Sequence, residues 1–544
     1  MKNSKIFAAI IGLLIFTTMS CENSEFLNKP PYSFTSPENF YKTEKDLKIA
    51  LVGCYDAINT SSVPGASVGD GTYSRGLLFM LIGGTDEVVP NTSSELADFA
   101  RLAYLSSNNP LSLFWAAYYA GISRCNLLIE KSAEVDMDQT TKNNIIAEAK
   151  FLRAFYYYHL ASLFGGVPLV TSSVPDAGAP RASVQDIYKL IIEDFTYAYT
   201  TLGNRGIFTG GANKWAAGGY LGIIYNYLAS CKRYGVSASL NFPLNDFSWV
   251  NETEMSNAAE KVLRDVVENS GYVLVEKAKY SHLFRETTKT EQYKECLFLA
   301  ETSNTLTDEY PEISNFPIPT GDRNIYGGGY GRLKPTRELY LSYNANDIRR
   351  DHNITGSYTA ASTKEIVGGA TYYVPIPSVT GSRIQWCTGK FRCIDPKEKV
   401  IPIVTTQLNY PLLRFADILL QYAEALYFTG DEPKARTYFT QIRNRIVKDA
   451  VDVEILNTAY YKADFVQELL DERRRELCFE SKRRIDLIRF NKLGDAISSI
   501  SLTAGNMNDM AKDMQDNYEY FKIWMPLPER QLTLNTNLTP NPGY

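Results

Sequence analysis

The chain runs to 544 residues, with 56 lysines and arginines against 61 aspartates and glutamates and a formal net charge of −5. Without a basic excess, nucleic acid and anionic lipid surfaces are excluded as expected partners, and the length supplies one large domain or two to three ordinary ones. Three scattered histidines (His159, His282, His352) and the absence of any CxxC leave no metal or cofactor site to expect.

Lys2 and Lys5 precede an apolar run from Ile6 to Thr17, the layout of a secretory signal peptide. A transmembrane helix needs ~20 predominantly apolar residues, which neither this run nor any later segment supplies. Ser20 places a small residue before Cys21, which resembles the lipobox of bacterial lipoproteins, where the cysteine thiol receives a diacylglycerol; Thr18 stands where that box usually has Leu. Residues 1–20 are expected to be removed, Cys21 to carry lipid, and residues 21–36, with Pro30 and Pro31, to serve as a tether before a body spanning 37–544. The competing reading is a secreted protein whose first cysteine falls there by chance.

Next comes "GASVG" (Gly65 to Gly69), which matches the pattern of a catalytic nucleophile elbow. An elbow needs a buried strand before its serine and a helix after it, and Ser61, Ser62, Pro64, Asp70 and Gly71 give Ser67 a loop instead. In "IIAEAKFLRAFYYYHLASLFGGVPLV", Ile145, Ala149, Leu152, Tyr156, Leu160 and Leu163 recur at helical spacing, and Gly165 with Gly166 stops the run. Ser183 is suited to cap the following "VQDIYKLIIEDFTYAYTTL", which predicts an antiparallel helix pair. Further pairs are predicted from Lys214 to Ala229 with "MSNAAEKVLRDVVENSGYVL", and within "FADILLQYAEALYFTGDEPKARTYFTQIRNRI". Small Ala423, Ala425 and Ala435 around Thr429-Gly430-Asp431 look like a tetratricopeptide unit. The fold class is therefore mainly α: tetratricopeptide-like helix pairs in a degenerate array, each needing neighbours to bury its apolar face.

Between Thr302 and Thr406 eight prolines and Gly327-Gly328-Gly329 break any helix, and "TYYVPIP" allows a short strand. This reads as an irregular, loop-rich layer over the helices. Cys387 and Cys393 are close enough there for a local disulfide, while Cys54, Cys125, Cys231 and Cys478 fall in helical patterns as buried thiols. The stretch "LLDERRRELCFESKRRIDLIRF" predicts one helix laced with pairs such as Glu480–Arg484 and backed by Leu470, Leu477, Ile485 and Ile488.

Taken in order, "FLNKPP", "FYKTEKDLKIALVGCYDAI", "EAKFLRAFYYYHLASLFGGVPLV", "RFADILLQYAEAL" with "IRNR", "ERRRELCFESKRRIDLIRF" and "MPLPERQLTLNTNLTPNPGY" resemble the SusD/RagB family of outer-membrane nutrient-binding lipoproteins. The resemblance implies a surface lipoprotein of the outer membrane, not an enzyme. Its partners would be an oligosaccharide or polysaccharide and a SusC-like TonB-dependent transporter. A peptide or other nutrient, an anchored enzyme, and an adhesive or structural surface protein are the alternatives. The family's shared motifs are scaffold, so Arg153, Glu424 and Arg484 are expected to be structural.

A sugar packs its C–H face on an aromatic ring and needs fixed polar groups for its hydroxyls. "GDRNIYGGGYGR" has that composition: Tyr326 and Tyr330 flank glycines that let backbone approach a ligand, and Arg323, Asn324 and Arg332 are the polar candidates. Tyr372 and Trp386 offer further faces, or are ordinary packed aromatics. The fallback platform is the stretch from Asp86 to Tyr104, whereas Trp115, Trp215 and Trp524 are expected in the core.

Overall fold

The computed structural model describes residues 40–58, 72–73, 76–91, 94–301, 332–355, 363–367, 369–374, 386–392, 408–503 and 508–544. Cys21, the tether and Ser67 lie outside the described residues. Among the described residues no helix is long and apolar enough to cross a membrane.

A capping box opens α1 (Glu44–Asp56): the Thr43 hydroxyl accepts from the Asp46 N–H, and the Asp46 carboxylate accepts from the Thr43 N–H at 2.9 Å. Short α2 (Gly76–Ile82), β1 (Val88–Pro90) and α3 (Glu95–Arg101) follow. The long helices are α4 (Asn109–Ser132), α5 (Gln139–Phe164), α6 (Val184–Thr201), α7 (Lys214–Arg233) and α8 (Glu252–Asn269). Ser183 caps α6 as its spacing predicts, its hydroxyl accepting from the Asp186 N–H. Each long helix packs on the next in sequence, and α1 closes one end of the row against α4 and α5.

The chain then changes character through α9 (Lys289–Glu295), β2 (Cys296–Ala300), β3 (Leu333–Pro335), α10 (Arg337–Leu341), α11 (Ile348–Asn353), β4 (Ile354–Thr355), β5 (Thr363–Val367), β6 (Ala370–Val374), β7 (Cys387–Thr388) and β8 (Tyr410–Arg414). These strands form four two-stranded antiparallel ladders, β1–β3, β2–β8, β4–β7 and β5–β6. The helical row resumes with α12 (Phe415–Phe428), packed on α8, and α13 (Glu432–Ile446), joined by the Thr429-Gly430-Asp431 turn. Then come α14 (Glu454–Tyr460), α15 (Phe465–Leu477) and α16 (Arg483–Arg489). The mainly helical architecture with a few short strands is the expected one. Trp115, Trp215 and Trp524 are buried, as are Cys54, Cys125, Cys231 and Cys478.

The glycine stop after α5 has a steric cause. Gly165 adopts φ +72, and a Cβ there would lie 2.2 Å from the Asn245 side chain. Around it Asn245 Oδ1 accepts from the Gly166 N–H at 2.8 Å, and Arg181 donates to Gly166 O (2.7 Å) and to Asn541 Oδ1 (2.6 Å). The Asn541 amide in turn donates to Phe164 O at 2.9 Å and Met525 O at 2.8 Å.

The single helix expected over 469–490 is broken. α15 ends at Leu477 and α16 begins at Arg483, with Phe479 (φ +64) and Ser481 (φ +61) between them. Glu480 does not meet Arg484; it turns inward to Arg414 (2.7 Å) and Lys390 (2.5 Å). The apolar stripe of Leu470, Leu477, Ile485 and Ile488 is buried as expected, but so are most of the charges. Arg414 also meets Glu295 (2.6 Å) and Glu476 (3.2 Å), and Arg349 meets Asp347 (2.7 Å), Glu472 (2.9 Å) and Glu476 (3.0 Å). Arg445 bridges Glu295 and Glu476, and Arg443 meets Glu468 and Glu472. Burial alone would raise the Glu476 carboxyl; Arg445, Arg414 and Arg349 instead hold it down at about 2. Arg153 with Asp194 and Glu424 with Arg489 are likewise buried pairs, so these expected scaffold residues are structural.

Truncating Arg414 leaves three buried carboxylates short of a cation, a situation that costs about 3–5 kcal/mol or more. Arg414→Ala is expected to lose at least that much in urea unfolding, and a loss below about 1 kcal/mol would show that the network is dispensable. The Glu148 carboxyl behaves oppositely. It is fully buried on α5, accepts from the Tyr55 hydroxyl (2.5 Å) and the Ile207 N–H (2.7 Å), and burial raises its pKa from 4.5 to about 7. Between those values the folded state binds the proton more tightly than the unfolded state, so this group's contribution is fully present below about pH 4.5 and is lost as pH rises through about 7. Glu148→Gln is therefore expected to remove a decline of roughly 3 kcal/mol between pH 4.5 and 8, read as a flatter pH profile of unfolding free energy; an unchanged slope refutes the assignment.

Candidate functional site

The irregular layer is fastened to the helical row by its short ladders. Pairing of Val88–Pro90 with Leu333–Pro335 puts Arg332 beside the segment that follows β1. There the Asn91 N–H donates to Arg332 O at 2.8 Å, and Arg332 Nη1 lies 3.5 Å from Ser94 Oγ. Arg332 thus meets the stretch 86–104 at one edge. Tyr372 lies in β6, opposite Glu365 in the β5–β6 ladder. Arg323, Asn324, Tyr326 and Tyr330 lie outside the described residues.

Trp386 is packed, the second of its two readings. It is only 6% exposed, so its indole is a packed wall instead of an open platform. Its ring lies 4.9 Å from that of Tyr340, centroid to centroid, and the Arg350 guanidinium sits 5.4 Å from the Tyr340 ring. Arg350 is fixed by two hydrogen bonds to Asp351, at 2.9 and 3.1 Å. Guanidinium, phenol and indole therefore make a continuous cluster, an arrangement favoured by the ring quadrupole. Among the described residues the indole N–H and the Tyr340 hydroxyl are buried without a hydrogen-bond partner. Such groups are rare in folded proteins because an unmade buried hydrogen bond costs about 1–3 kcal/mol.

Tyr340 and Arg350 escaped sequence reasoning because both sit on short helices, where an aromatic reads as core and an arginine as solvated surface. The available signal was the strand-like spacing of Trp386 from helix breakers on both sides. Behind the cluster, Lys334 Nζ approaches Cys387 Sγ at 3.5 Å; pairing of Cys387 with Cys393 involves a residue outside those described.

The fallback stretch from Asp86 to Tyr104 is largely core. Asp86 is buried against Arg483 and Arg474, each at 2.7 Å, which hold its carboxyl well below the usual range although burial alone would raise it. Glu87 is buried with its carboxylate accepting from the Phe479 N–H at 3.1 Å, and burial raises it to about 8. Leu96, Phe99, Leu102 and Tyr104 are buried too, so the stretch supports the layer from beneath.

Residues 294–544 match the family model described as the SusD family, and residues 85–226 match a SusD-like model described as starch-binding and associating with the outer membrane. The SusD-like protein P2 of Formosa agariphila is 25% identical, with 98% of both chains aligned. The solved structure of a SusD homolog from Bacteroides thetaiotaomicron superposes with a TM-score of 0.72 at 21% identity, covering 95% of this chain and all of that one. A laminarin-binding SusD-like protein superposes with a TM-score of 0.66 at 23% identity, covering 93% and 100%. The two family models together match residues 85–226 and 294–544, and the helical row and short ladders superpose on SusD homologs: the chain belongs to the SusD-like family.

Proposed function

We propose that the protein captures a glycan at the cell surface and passes it to a SusC-like TonB-dependent transporter in the outer membrane, without turning it over. The observation that carries this reading is the Arg350–Tyr340–Trp386 cluster. It sets two packed aromatic rings beside a fixed, half-buried guanidinium, with two hydrogen-bonding groups that have no partner among the described residues, in the layer where the saccharide-like composition of Arg323, Asn324, Tyr326, Tyr330, Arg332 and Tyr372 also falls. The starch-binding description of one matching family model and the laminarin-binding name of a structural neighbour point to the same ligand class. In this reading residues 37–544 act as one body, held by lipid on Cys21 through the 21–36 tether.

Calorimetric titration against laminarin, starch and a panel of other polysaccharides is expected to give at least one saturable isotherm; silence across the panel would discard the glycan reading. For the glycan that binds, Tyr330→Ala is expected to weaken affinity roughly two- to tenfold with the melting temperature unchanged, the worth of one stacked ring. Trp386→Phe keeps the packed ring and removes the N–H, and is expected to weaken binding similarly. If neither variant shifts the isotherm, the layer does not hold the ligand.

Cys21→Ala is expected to move the protein from the outer-membrane fraction to the soluble fraction, while the unaltered chain co-purifies with a TonB-dependent transporter from detergent extracts. Retention of the variant in membranes would remove Cys21 as the anchor.

A further inference from the structure

The connection between α6 and α7 borders a cleft of about 690 Å³, distinct from the Arg350–Tyr340–Trp386 cluster. That size is ordinary for a small-ligand site. Its walls come from three places: Asn204, Arg205 and Phe208 on the connection, Tyr272 after α8, and Tyr293 with Lys294 at the end of α9. The two tyrosines are half-buried and anchored from behind, Tyr293 by donating to Glu301 Oε1 at 2.7 Å and Tyr272 through contact of its hydroxyl with the Asn213 side chain. Their rings are thereby held as fixed walls.

The connection is equally fixed. The Ile207 N–H donates to buried Glu148 at 2.7 Å, the Ala212 N–H to the Tyr55 hydroxyl at 2.8 Å, and Gly210 O accepts from the Leu299 N–H at 3.2 Å. Gly210 adopts φ +73 so closely against Glu301 that a Cβ would lie 2.3 Å from its carboxylate. A rigid wall of backbone and aromatic rings needs no reordering on binding, which favours affinity.

The charge of the lining is one-sided. It contains Arg205 and Lys294 and no aspartate or glutamate. Lys294 is paired with Glu291, outside the lining, at 3.0 Å, which leaves Arg205 as the cation open to a ligand. Arg205 is exposed and makes no ion pair among the described residues. Aromatic walls, amide and hydroxyl groups and the Arg205 guanidinium together suit a sugar that carries an acidic group.

We infer that this cleft is a second saccharide site, taking a short acidic saccharide whose rings lie on Tyr272 and Tyr293 and whose carboxylate or sulfate faces Arg205. The inference goes beyond the layer site and does not depend on it. The test is titration of the mature chain with six-unit oligogalacturonate, oligomannuronate and a sulfated galactan, beside neutral laminarihexaose. At least one acidic probe is expected to bind, with affinity falling as salt rises. Arg205→Ala, a change at the surface, is expected to weaken that probe roughly three- to tenfold and to flatten its salt dependence, and Tyr293→Phe to leave it nearly unchanged because the ring is kept. Tyr293→Ala, checked for folding by its melting curve, is expected to weaken it several-fold. Failure of all three acidic probes, or binding that ignores both Arg205→Ala and Tyr293→Ala, overturns the cleft. Binding that responds only to Tyr330→Ala overturns it too, while leaving the layer reading intact.

Discussion

Six buried cations and six buried carboxylates hold this fold together at one point. Arg349, Lys390, Arg414, Arg443, Arg445 and Arg475 face Glu295, Asp347, Glu468, Glu472, Glu476 and Glu480. Removing any ion from water carries a desolvation penalty of several kcal/mol, recovered only when its remaining hydrogen-bonding capacity is met. The balance of charge explains why this interior is tolerable, and its geometry explains what it does. The groups come from α9, α11, the layer residue Lys390, β8, α13, α15 and the break after it. A residue from the layer is thus wired into the same network as the helical row.

That wiring positions the candidate site. Lys390 Nζ also donates to Glu476 O at 2.6 Å, so the segment carrying Trp386 and β7 is tied to the end of α15. Below it, Asp86 and Glu87 reach Arg474, Arg483 and the Phe479 N–H, linking the segment before β1 to the same break. The positive φ angles at Phe479 and Ser481 are what aim those backbone groups inward. A continuous helix would have spent them on its own ladder.

The long helices were legible in the sequence because their burial is periodic. Ile145, Ala149, Leu152, Tyr156, Leu160 and Leu163 recur at helical spacing and all are buried. The stretch from 469 to 490 was half legible for the same reason: its apolar stripe is real, but spacing cannot say that Glu480 pairs with Arg414, 66 residues away, instead of with Arg484, four away. Long-range pairing leaves no local signature. The candidate site shows the same limit. Composition pointed to the layer and to Trp386, yet its partner Tyr340 lies on a short helix far off in sequence, and only the β3 and β7 pairings bring them together. The cleft beside Tyr272 and Tyr293 was invisible for a further reason, since three separate connections build it.

The lock at Gly165 has a consequence for how the chain comes into being. Gly166 has its partner in Asn245, but the Phe164 carbonyl and the Arg181 guanidinium are completed by Asn541, and the Leu163 carbonyl accepts from the Met525 N–H at 2.7 Å. The end of α5 is thus completed across a separation of 377 residues, and a pairing that closes so large a loop weighs on the rate of folding more than on stability.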